Sequence, residues 1–419
     1  MSQELSRRVA ISGAFAAALT VGVAACGHGD KHAGTFGEPA GTPTGAPTAT
    51  SAEPAPATSS ATSTPPPPAD ITVAGLDGDT LPFGAPVTLT SSARLDSLKV
   101  QDGDGKAVDG TLSKKGTSWV SSAPIGPGAS WTWTATTAQG AVSDGKIGSA
   151  SAIRTVGATA NIGVGWTVGV AAPIVVNFKT KVTDKPAVEK YLQVLMRPAG
   201  SKGKWTEVVG SWAWLPDSAP NSELHFRTKK YWPAHTEVRV VLPLAQLNWG
   251  GGVSGVQDFD WTFNIGRSQV VIADARKHNI VIYRDGAKVA TYPASYGLDS
   301  DPIRNTRTGI NVVTEKLQTV EMKSKLFHYD EIEHWAVRFN NNGQFIHANP
   351  DTVQYQGHSN VSHGCINLSP TNGKAYYDTA IYGDPVDVRG TNVKLSSTRT
   401  EIYDWALSWK QWKAMSALT

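Results

Sequence analysis

Beyond about residue 70, hydrophobic and polar residues alternate in short runs that glycine, aspartate and proline separate. Residues 86–90 (Pro-Val-Thr-Leu-Thr) and residues 130–135 (Ser-Trp-Thr-Trp-Thr-Ala) show the pattern most clearly. A period of two is typical of β-strands with one buried face, whereas a helix would show a period near 3.6. Residues 71–151 contain no long run with the helical period, so this region is predicted to be an antiparallel β-sandwich.

A second β-rich region follows at residues 152–266 and repeats features of the first. Gly-Ala-Pro-Val-Thr-Leu at residues 84–89 returns as Ala-Ala-Pro-Ile-Val-Val at residues 171–176. The repeat predicts a second sandwich. One short helix is expected within it, because Asp184 is a good N-cap and Pro186 fits the first turn.

The third region, residues 267–390, is also predicted to be mainly β. Two β-prone runs, at residues 279–283 and 288–292, flank the sequence Arg-Asp-Gly-Ala. An Asp-Gly pair between two such runs is a strong signal for a β-hairpin. Ser369 is followed by proline, which predicts the N-cap and first turn of a helix over residues 370–379.

Three tryptophans stand at helical spacing in the last segment, residues 391–419. Trp405, Trp409 and Trp412 occupy positions i, i+4 and i+7, which share one face of a helix. We therefore expect a C-terminal helix that packs onto the domain before it.

Residues 1–25 have the features of a secretion signal. Arg7 and Arg8 precede a continuous apolar run, which gives the segment a positive front and a hydrophobic centre. Val-Ala-Ala-Cys at residues 23–26 resembles a lipobox, in which Cys26 is acylated and becomes the mature N-terminus. The alternative is an ordinary signal whose removal leaves this thiol free.

Residues 26–70 form a low-complexity stretch rich in alanine, threonine, serine and proline. Such a composition cannot bury a core, so a stalk is expected between the lipid anchor and the folded domains. As a random coil the stretch would span roughly 35–40 Å. The formal net charge is only +3 over 419 residues, which argues against nucleic acid as a partner.

The chain has two cysteines, and the second, Cys365, has no disulfide partner if Cys26 is acylated. It stands in the run Ser-His-Gly-Cys-Ile-Asn, and His347 lies sixteen residues before His363. A thiol beside an imidazole suits nucleophilic catalysis, because the imidazole favours the thiolate. Gly364 lets a carbonyl come close to the backbone amides, which would form an oxyanion hole.

Two alternatives concern the same residues. The first alternative is a buried, inert cysteine beside incidental histidines. The six-residue run and the spaced His347 argue against it. The second is a zinc site built from His347, His358, His363 and Cys365. Zinc ligands usually come in closely spaced pairs, whereas Ser-Asn-Val-Ser separates His358 from His363. We therefore favour catalysis.

The spaced histidine followed by Ser-His-Gly-Cys-x-Asn resembles the signature of the YkuD-type L,D-transpeptidases, which cross-link bacterial peptidoglycan. The resemblance implies that Cys365 is the nucleophile and His347 the general base. It assigns His363 and Gly364 to support of the thiolate and the oxyanion. It also implies that Cys365 lies between a strand and a helix, where the helix dipole would favour the thiolate.

The resemblance also implies substrate contacts. A flap covers the thiol in this family, and its tyrosine corresponds to Tyr329, eighteen residues before His347. The expected substrate contacts are Tyr329, Met322, Asn342, Gly343, Asn367 and Ser362. Two positions depart from the family pattern: Ala348 stands where some relatives have serine, and Asp351 where relatives have tryptophan, which changes the acceptor side.

The implied reaction is a two-step acyl transfer. Cys365 attacks the carbonyl of the diamino acid in a tetrapeptide stem, D-Ala leaves, and a side-chain amine of a neighbouring stem resolves the thioester into a 3→3 cross-link. The reaction needs no metal or organic cofactor, and carbapenems are expected to acylate the same thiol. The alternatives are a carboxypeptidase, a protein-anchoring transpeptidase, or a non-catalytic lipoprotein scaffold that binds wall polymer.

The expected fold class is mainly β, with two immunoglobulin-like sandwiches, a YkuD-type β-rich catalytic domain and a short C-terminal helical extension. Actinobacterial members of the family carry such sandwiches, and we interpret them as spacers. Export as a lipoprotein would place the protein on the outer face of the cytoplasmic membrane, facing the wall. The predicted limits are 1–25 for the signal, 26–70 for the stalk, 71–151 and 152–266 for the sandwiches, 267–390 for the catalytic domain and 391–419 for the extension.

Overall fold

The fold was analysed in a computed structural model, which describes residues 68–218, 220–340, 342–395 and 402–419. The predicted signal, Cys26 and nearly all of the predicted stalk lie outside these ranges. The described residues are mainly β, as the sequence predicted. None of the helices among them is long and apolar enough to cross a membrane.

Eight strands form the first sandwich: β1 (Ile71–Val73), β2 (Thr80–Leu81), β3 (Pro86–Ser91), β4 (Leu95–Gln101), β5 (Gly110–Leu112), β6 (Ser118–Pro124), β7 (Ser130–Thr137) and β8 (Val142–Ser149). They pair as two four-stranded sheets with the orders β1-β3-β6-β5 and β2-β8-β7-β4. The alternation along β7 turns Trp131 and Trp133 inward, where they pack with Trp119 in a separate core. These tryptophans are therefore core residues.

Eleven strands and one helix form the second sandwich: β9 (Arg154–Val156), β10 (Ala158–Ala160), β11 (Thr167–Val168), β12 (Ile174–Phe178), α1 (Lys185–Glu189), β13 (Gln193–Pro198), β14 (Thr206–Glu207), β15 (Gly210–Trp214), β16 (Ser222–Thr228), β17 (Thr236–Leu242), β18 (Val253–Gly255) and β19 (Phe259–Ile265). The main sheets have the orders β10-β12-β16-β15 and β11-β19-β17-β13-β14, and β9 pairs with β18. Helix α1 begins as predicted, since the Asp184 carboxylate accepts a hydrogen bond from the Ala187 amide at 3.1 Å.

Nine strands and one helix follow: β20 (Gln269–Asp274), β21 (Asn279–Arg284), β22 (Ala287–Pro293), β23 (Gly309–Val312), β24 (Glu315–Ser324), β25 (Tyr329–Arg338), β26 (Phe345–Ala348), β27 (Ile366–Leu368), α2 (Pro370–Thr379) and β28 (Pro385–Arg389). The predicted hairpin joins β21 and β22, and its turn residues Asp285 and Gly286 have φ angles of 48° and 85°. The predicted helix is α2, and Ser369 caps it.

The core of this domain lies between a five-stranded sheet, β22-β21-β20-β28-β23, and a four-stranded sheet, β24-β25-β26-β27. Val271 and Ile282 from the first sheet and Ile346 from the second are fully buried there. Helix α2 packs on the second sheet, and a side chain on Gly373 would come within 2.9 Å of Ala348. The close packing holds β26 and β27, the two strands that carry the site.

The C-terminal tryptophans do not share one helix, so that prediction was wrong. Asp404–Ala406 is a 3₁₀ turn, and α3 (Trp409–Lys413) begins only after Leu407 adopts an extended conformation. Ser408 and Gln411 form a capping box that starts α3 afresh. The N-cap at Ser408 therefore starts a new helix at Trp409, so Trp405 lies outside it although its spacing fits one helix.

The extension is held chiefly by the second sandwich rather than by the catalytic domain, although the 404–406 turn also lies beside β23. The indole of Trp412 donates to the carbonyl of Ser211 and that of Trp405 to the carbonyl of Ala171, both at 2.9 Å. The buried guanidinium of Arg227 lies 4.6–5.3 Å from the rings of all three tryptophans. The prediction that the extension packs mainly on the catalytic domain was therefore wrong.

The second sandwich also contacts the catalytic domain through backbone hydrogen bonds. The amide of Gly169 donates to the carbonyl of Tyr382 at 2.7 Å, and that of Ala171 to Gly383 at 2.8 Å. Arg267, just after β19, makes a bidentate ion pair with Asp384 at 2.7 Å. These contacts argue against the interpretation of the second sandwich as a mere spacer.

Candidate active site

The pairing of β26 with β27 brings the predicted nucleophile and base together. The two strands are parallel, and His347 stands directly opposite Asn367. Cys365 precedes Asn367 by two residues, so strand alternation turns its side chain to the same face. The amide of Phe345 donates to Sγ of Cys365 at 3.4 Å, which fixes the sulfur beside β26.

The loop before β27 is held in shape by Ser362. Its hydroxyl donates to the carbonyl of Cys365 at 2.7 Å and accepts from the amide of Gly364 at 3.1 Å. Gly364 has a φ of 122°, and a Cβ there would lie 2.8 Å from Nε2 of Gln344. Since the Gly364 amide is already engaged, the Cys365 amide is the better candidate for the oxyanion hole in this loop.

His347 is buried, with 3% of its surface exposed. Its Nδ1 lies 3.1 Å from the carbonyl oxygen of Ala348 and 3.2 Å from Oε2 of Glu333, and the ring faces the same cavity as Cys365. Burial alone lowers the pKa of His347, but the contacts with Cys365 and Glu333 outweigh it and raise this pKa to about 10. These contacts favour the imidazolium form of His347.

The long β24–β25 hairpin forms one wall of the site, and we call it the flap. The ring of Tyr329 lies 5.0 Å from that of His363, and the ring of Phe327 lies 4.8 Å from it. Burial and the nearby Cys365 raise the pKa of Tyr329. Burial and the nearby charge of Arg304 lower the pKa of His363, which favours its neutral form.

A cavity opens between the flap and the Cys365 loop. The predicted residues that line it are Met322, Tyr329, His347, Ser362, His363, Cys365 and Asn367. Asn342 and Gly343 lie instead in the turn before β26 and are not among its lining residues. The structure thus brings together most of the predicted site but not this pair.

Three carboxylates also face the cavity: Glu331 and Glu333 on β25, and Asp351 in the 3₁₀ helix Pro350–Tyr355. Burial and the neighbouring charges of Glu333 and Asp351 raise the pKa of Glu331. Sequence reasoning missed Glu331 and Glu333. Their spacing of two would place them on one face of a strand, but it gives no indication that this face turns toward the thiol.

The expectation that a helix dipole activates Cys365 was wrong. Cys365 lies immediately before β27, and α2 begins only at Pro370, after the strand. The zinc alternative also finds no support in the position of His358, whose ring nitrogens face the hydroxyl of Ser359 and the carbonyl of Gln354. The local contacts that favour the Cys365 thiolate come from His347 and the Phe345 amide.

Two family models match the chain. Residues 78–248 match a bacterial Ig domain, and residues 268–388 match the L,D-transpeptidase catalytic domain. The first match spans parts of both sandwiches. The second runs from the residue before β20 to Val388 in β28 and contains Cys365 and His347.

Named relatives agree with these matches. The chain is 39% identical over 363 residues to L,D-transpeptidase 5 of Mycobacterium tuberculosis (strain ATCC 25618 / H37Rv), covering 84% of this chain and 78% of that protein. It is 28% identical over 349 residues to L,D-transpeptidase 2 of M. tuberculosis (strain CDC 1551 / Oshkosh), covering 80% and 81%. A solved LD transpeptidase in complex with imipenem is 32% identical, with a TM-score of 0.44 over 57% of this chain and all of that one. The chain belongs to the L,D-transpeptidase family.

Proposed function

We propose that this L,D-transpeptidase forms 3→3 peptidoglycan cross-links through a thioester on Cys365. The observation that carries the proposal is that Cys365, immediately before β27, and the buried His347, on the neighbouring strand β26, face the same cavity. An imidazolium beside a sulfur stabilises the thiolate, which is the reactive form of a cysteine.

In the first step the Cys365 thiolate attacks the carbonyl of the diamino acid in a tetrapeptide stem. The carbonyl electrons move to oxygen, where the Cys365 amide stabilises the charge. As the C–N bond to D-Ala breaks, the His347 imidazolium donates its proton to the leaving amine. The products are a thioester on Cys365 and free D-Ala.

In the second step the side-chain amine of a neighbouring stem attacks the thioester. Now neutral, His347 accepts the proton that this amine must lose, and the thiolate leaves to restore the ion pair. The carboxyl groups of Glu331 and Asp351 face the cavity and would attract the acceptor in its cationic form, which releases one proton to solvent before it attacks as the neutral amine. This attraction supports an amine rather than water as the acceptor, and so cross-linking rather than carboxypeptidase activity.

Asn367 supports the binding of a peptide in the same cavity. Its side-chain amide donates to the hydroxyl of Thr352 at 3.2 Å, which orients the group. Its buried Oδ1 has no hydrogen-bond partner among the described residues. A stem-peptide amide would supply the missing donor, since a buried acceptor left unpaired costs about 1–3 kcal/mol.

Export and lipid anchoring at Cys26 complete the proposal. The amino-terminal sequence supports them, and an anchored stalk would let the enzyme reach stem peptides in the wall. As for other members of the family, a carbapenem is the proposed covalent inhibitor, because its β-lactam carbonyl would trap the Cys365 thiolate.

The decisive test is the intact mass of the protein after incubation with imipenem, together with cross-linking of purified tetrapeptide stems. The wild type should gain one imipenem-derived adduct and form stem dimers, whereas Cys365→Ala should do neither. Its free energy of unfolding should stay within about 1 kcal/mol of the wild type. Cross-linking by Cys365→Ala would refute the proposed nucleophile, and hydrolysis without dimers in the wild type would indicate a carboxypeptidase.

A further inference from the structure

Glu333 is a buried carboxylate that contacts the proposed base. Oε2 of Glu333 lies 3.2 Å from Nδ1 of His347, and the two residues are 6% and 3% exposed. The side-chain amide of Asn349 donates to the other oxygen, Oε1, at 2.9 Å. Both carboxylate oxygens are therefore engaged, and the group is aimed at the imidazole.

The backbone of β25 explains how a flap residue reaches the base. Between Tyr329 and His334 the strand is exposed or half-buried everywhere except at Glu333. The pairing of β25 with β26 then shifts register between His334 and Val337, and Trp335 within this bulge has a φ of 54°. Bulges re-aim side chains next to active sites. Glu333 lies two residues before Trp335 on this strand.

We propose that Glu333 is the carboxylate member of a Cys365–His347–Glu333 triad, a positioning residue that holds the imidazole toward the thiol and stabilises its charged form. The proposal rests on the function proposed above, in which Cys365 and His347 perform the chemistry. The carbonyl of Ala348 orients the ring but carries no net charge. The Glu333 carboxylate adds a negative charge, which offsets the cost of burying the positively charged imidazolium away from water.

Glu333 lies at the base of the flap. The next residue, His334, pairs with Ala348 on β26, the strand that carries His347. The pairing of these two strands therefore holds the carboxylate beside the imidazole.

The other groups that face His347 from neighbouring elements do not duplicate Glu333. Cys365 faces the same cavity as the ring from the loop before β27. Glu331, nearer the exposed end of β25, has an electrostatic interaction with His347. The remaining titratable residues of the cavity are Asp351 on the 3₁₀ helix, Tyr329 on the flap and His363 on the loop. Among these groups Glu333 is the carboxylate with a contact to Nδ1.

The test is the pH profile of acylation by imipenem, measured as the second-order rate constant from intact mass. Proton donation by the imidazolium fails as the pH rises through the pKa of His347, so the profile should fall on its alkaline side. Glu333→Gln should move this alkaline limb to lower pH by about one unit or more, because an opposite charge in contact shifts a pKa by about 1–3 units. Glu333→Asp, which keeps the charge, should restore part of the shift.

Asp330→Asn is the matched control. Asp330 lies on the same strand with its side chain on the other face, and it forms an ion pair with Lys323 at 3.1 Å. Its removal should leave the alkaline limb in place. An unchanged limb in folded Glu333→Gln would overturn the triad.

A second measurement needs only the wild-type protein. Its imidazole ¹⁵N shifts should show His347 doubly protonated at pH 8, and a neutral His347 at that pH would overturn the inference even if the Glu333 variants do not fold. The proposed function fails separately, by the absence of any adduct on wild-type Cys365.

Discussion

The phenyl ring of Phe327, at the tip of the flap, packs against the imidazole of His363 with 4.8 Å between ring centres. Tyr329 covers the same imidazole at 5.0 Å. His363 precedes the nucleophile by two residues, so two aromatic contacts fasten the flap directly to the loop that carries Cys365. The closed position of the flap therefore depends on these rings as well as on the strand pairing at its base.

Phe327→Ala should loosen this closure. An aromatic pair contributes about 0.5–1.5 kcal/mol, so the rate constant of imipenem acylation should fall about two- to tenfold. Leu326→Ala is the matched control, because Leu326 stands beside Phe327 but is 64% exposed. Equal rates for the two variants, measured by intact mass, would show that the flap does not close through Phe327.

Replacement of the two histidines should have unequal effects. His347→Ala removes the proposed general acid and base and should slow acylation by about 100- to 10,000-fold. His363→Ala should cost about tenfold or less, because the ring contacts of His363 are with the flap. Single-turnover acylation rates at one pH would compare them, and a greater loss in His363→Ala would mean that the base has been misassigned.

Fragments should distinguish the roles of the two sandwiches. Residues 152–419 keep the contacts of Gly169 and Ala171 with the catalytic domain and the site of the C-terminal extension, so this fragment should fold and become acylated. A fragment of residues 267–419 lacks these contacts and the site on which the extension packs, so it should unfold at a markedly lower temperature. Thermal unfolding and adduct formation would be measured on both fragments. Equal melting temperatures would restore the interpretation of both sandwiches as spacers.

Cys26→Ala should release the protein from the membrane fraction without changing its acylation rate in solution. Two or three acyl chains hold a lipoprotein stably, and their loss removes the whole anchor at once. Fractionation followed by immunoblotting gives the readout, with Cys365→Ala as the control that keeps the anchor. If the Cys26→Ala protein stays on the membrane after its signal is cleaved, another surface must hold it.

Local signals allowed much of the fold and site to be predicted. The Asp285-Gly286 turn and the Ser369 cap act through the backbone of their own neighbours, so no knowledge of tertiary structure is needed to recognise them. The spacing of His347 and Cys365 likewise matches a known family pattern.

Features that depend on tertiary contacts could not be predicted in this way. Glu333 contacts His347 through the pairing of β25 with β26, which the spacing of residues does not record. The spacing of Trp405, Trp409 and Trp412 predicted one helix. In the structure the three side chains instead contact Arg227 from a 3₁₀ turn and a separate helix.

The contacts on either side of the catalytic domain constrain how it can be oriented. Arg267 pairs with Asp384 where the chain enters from the second sandwich, and the tryptophan extension fastens the exit to Arg227 of that same sandwich. A domain tied at one end can pivot about its linker, but a domain tied at both ends to one body cannot. The direction in which the Cys365 cavity faces is thus fixed relative to the second sandwich.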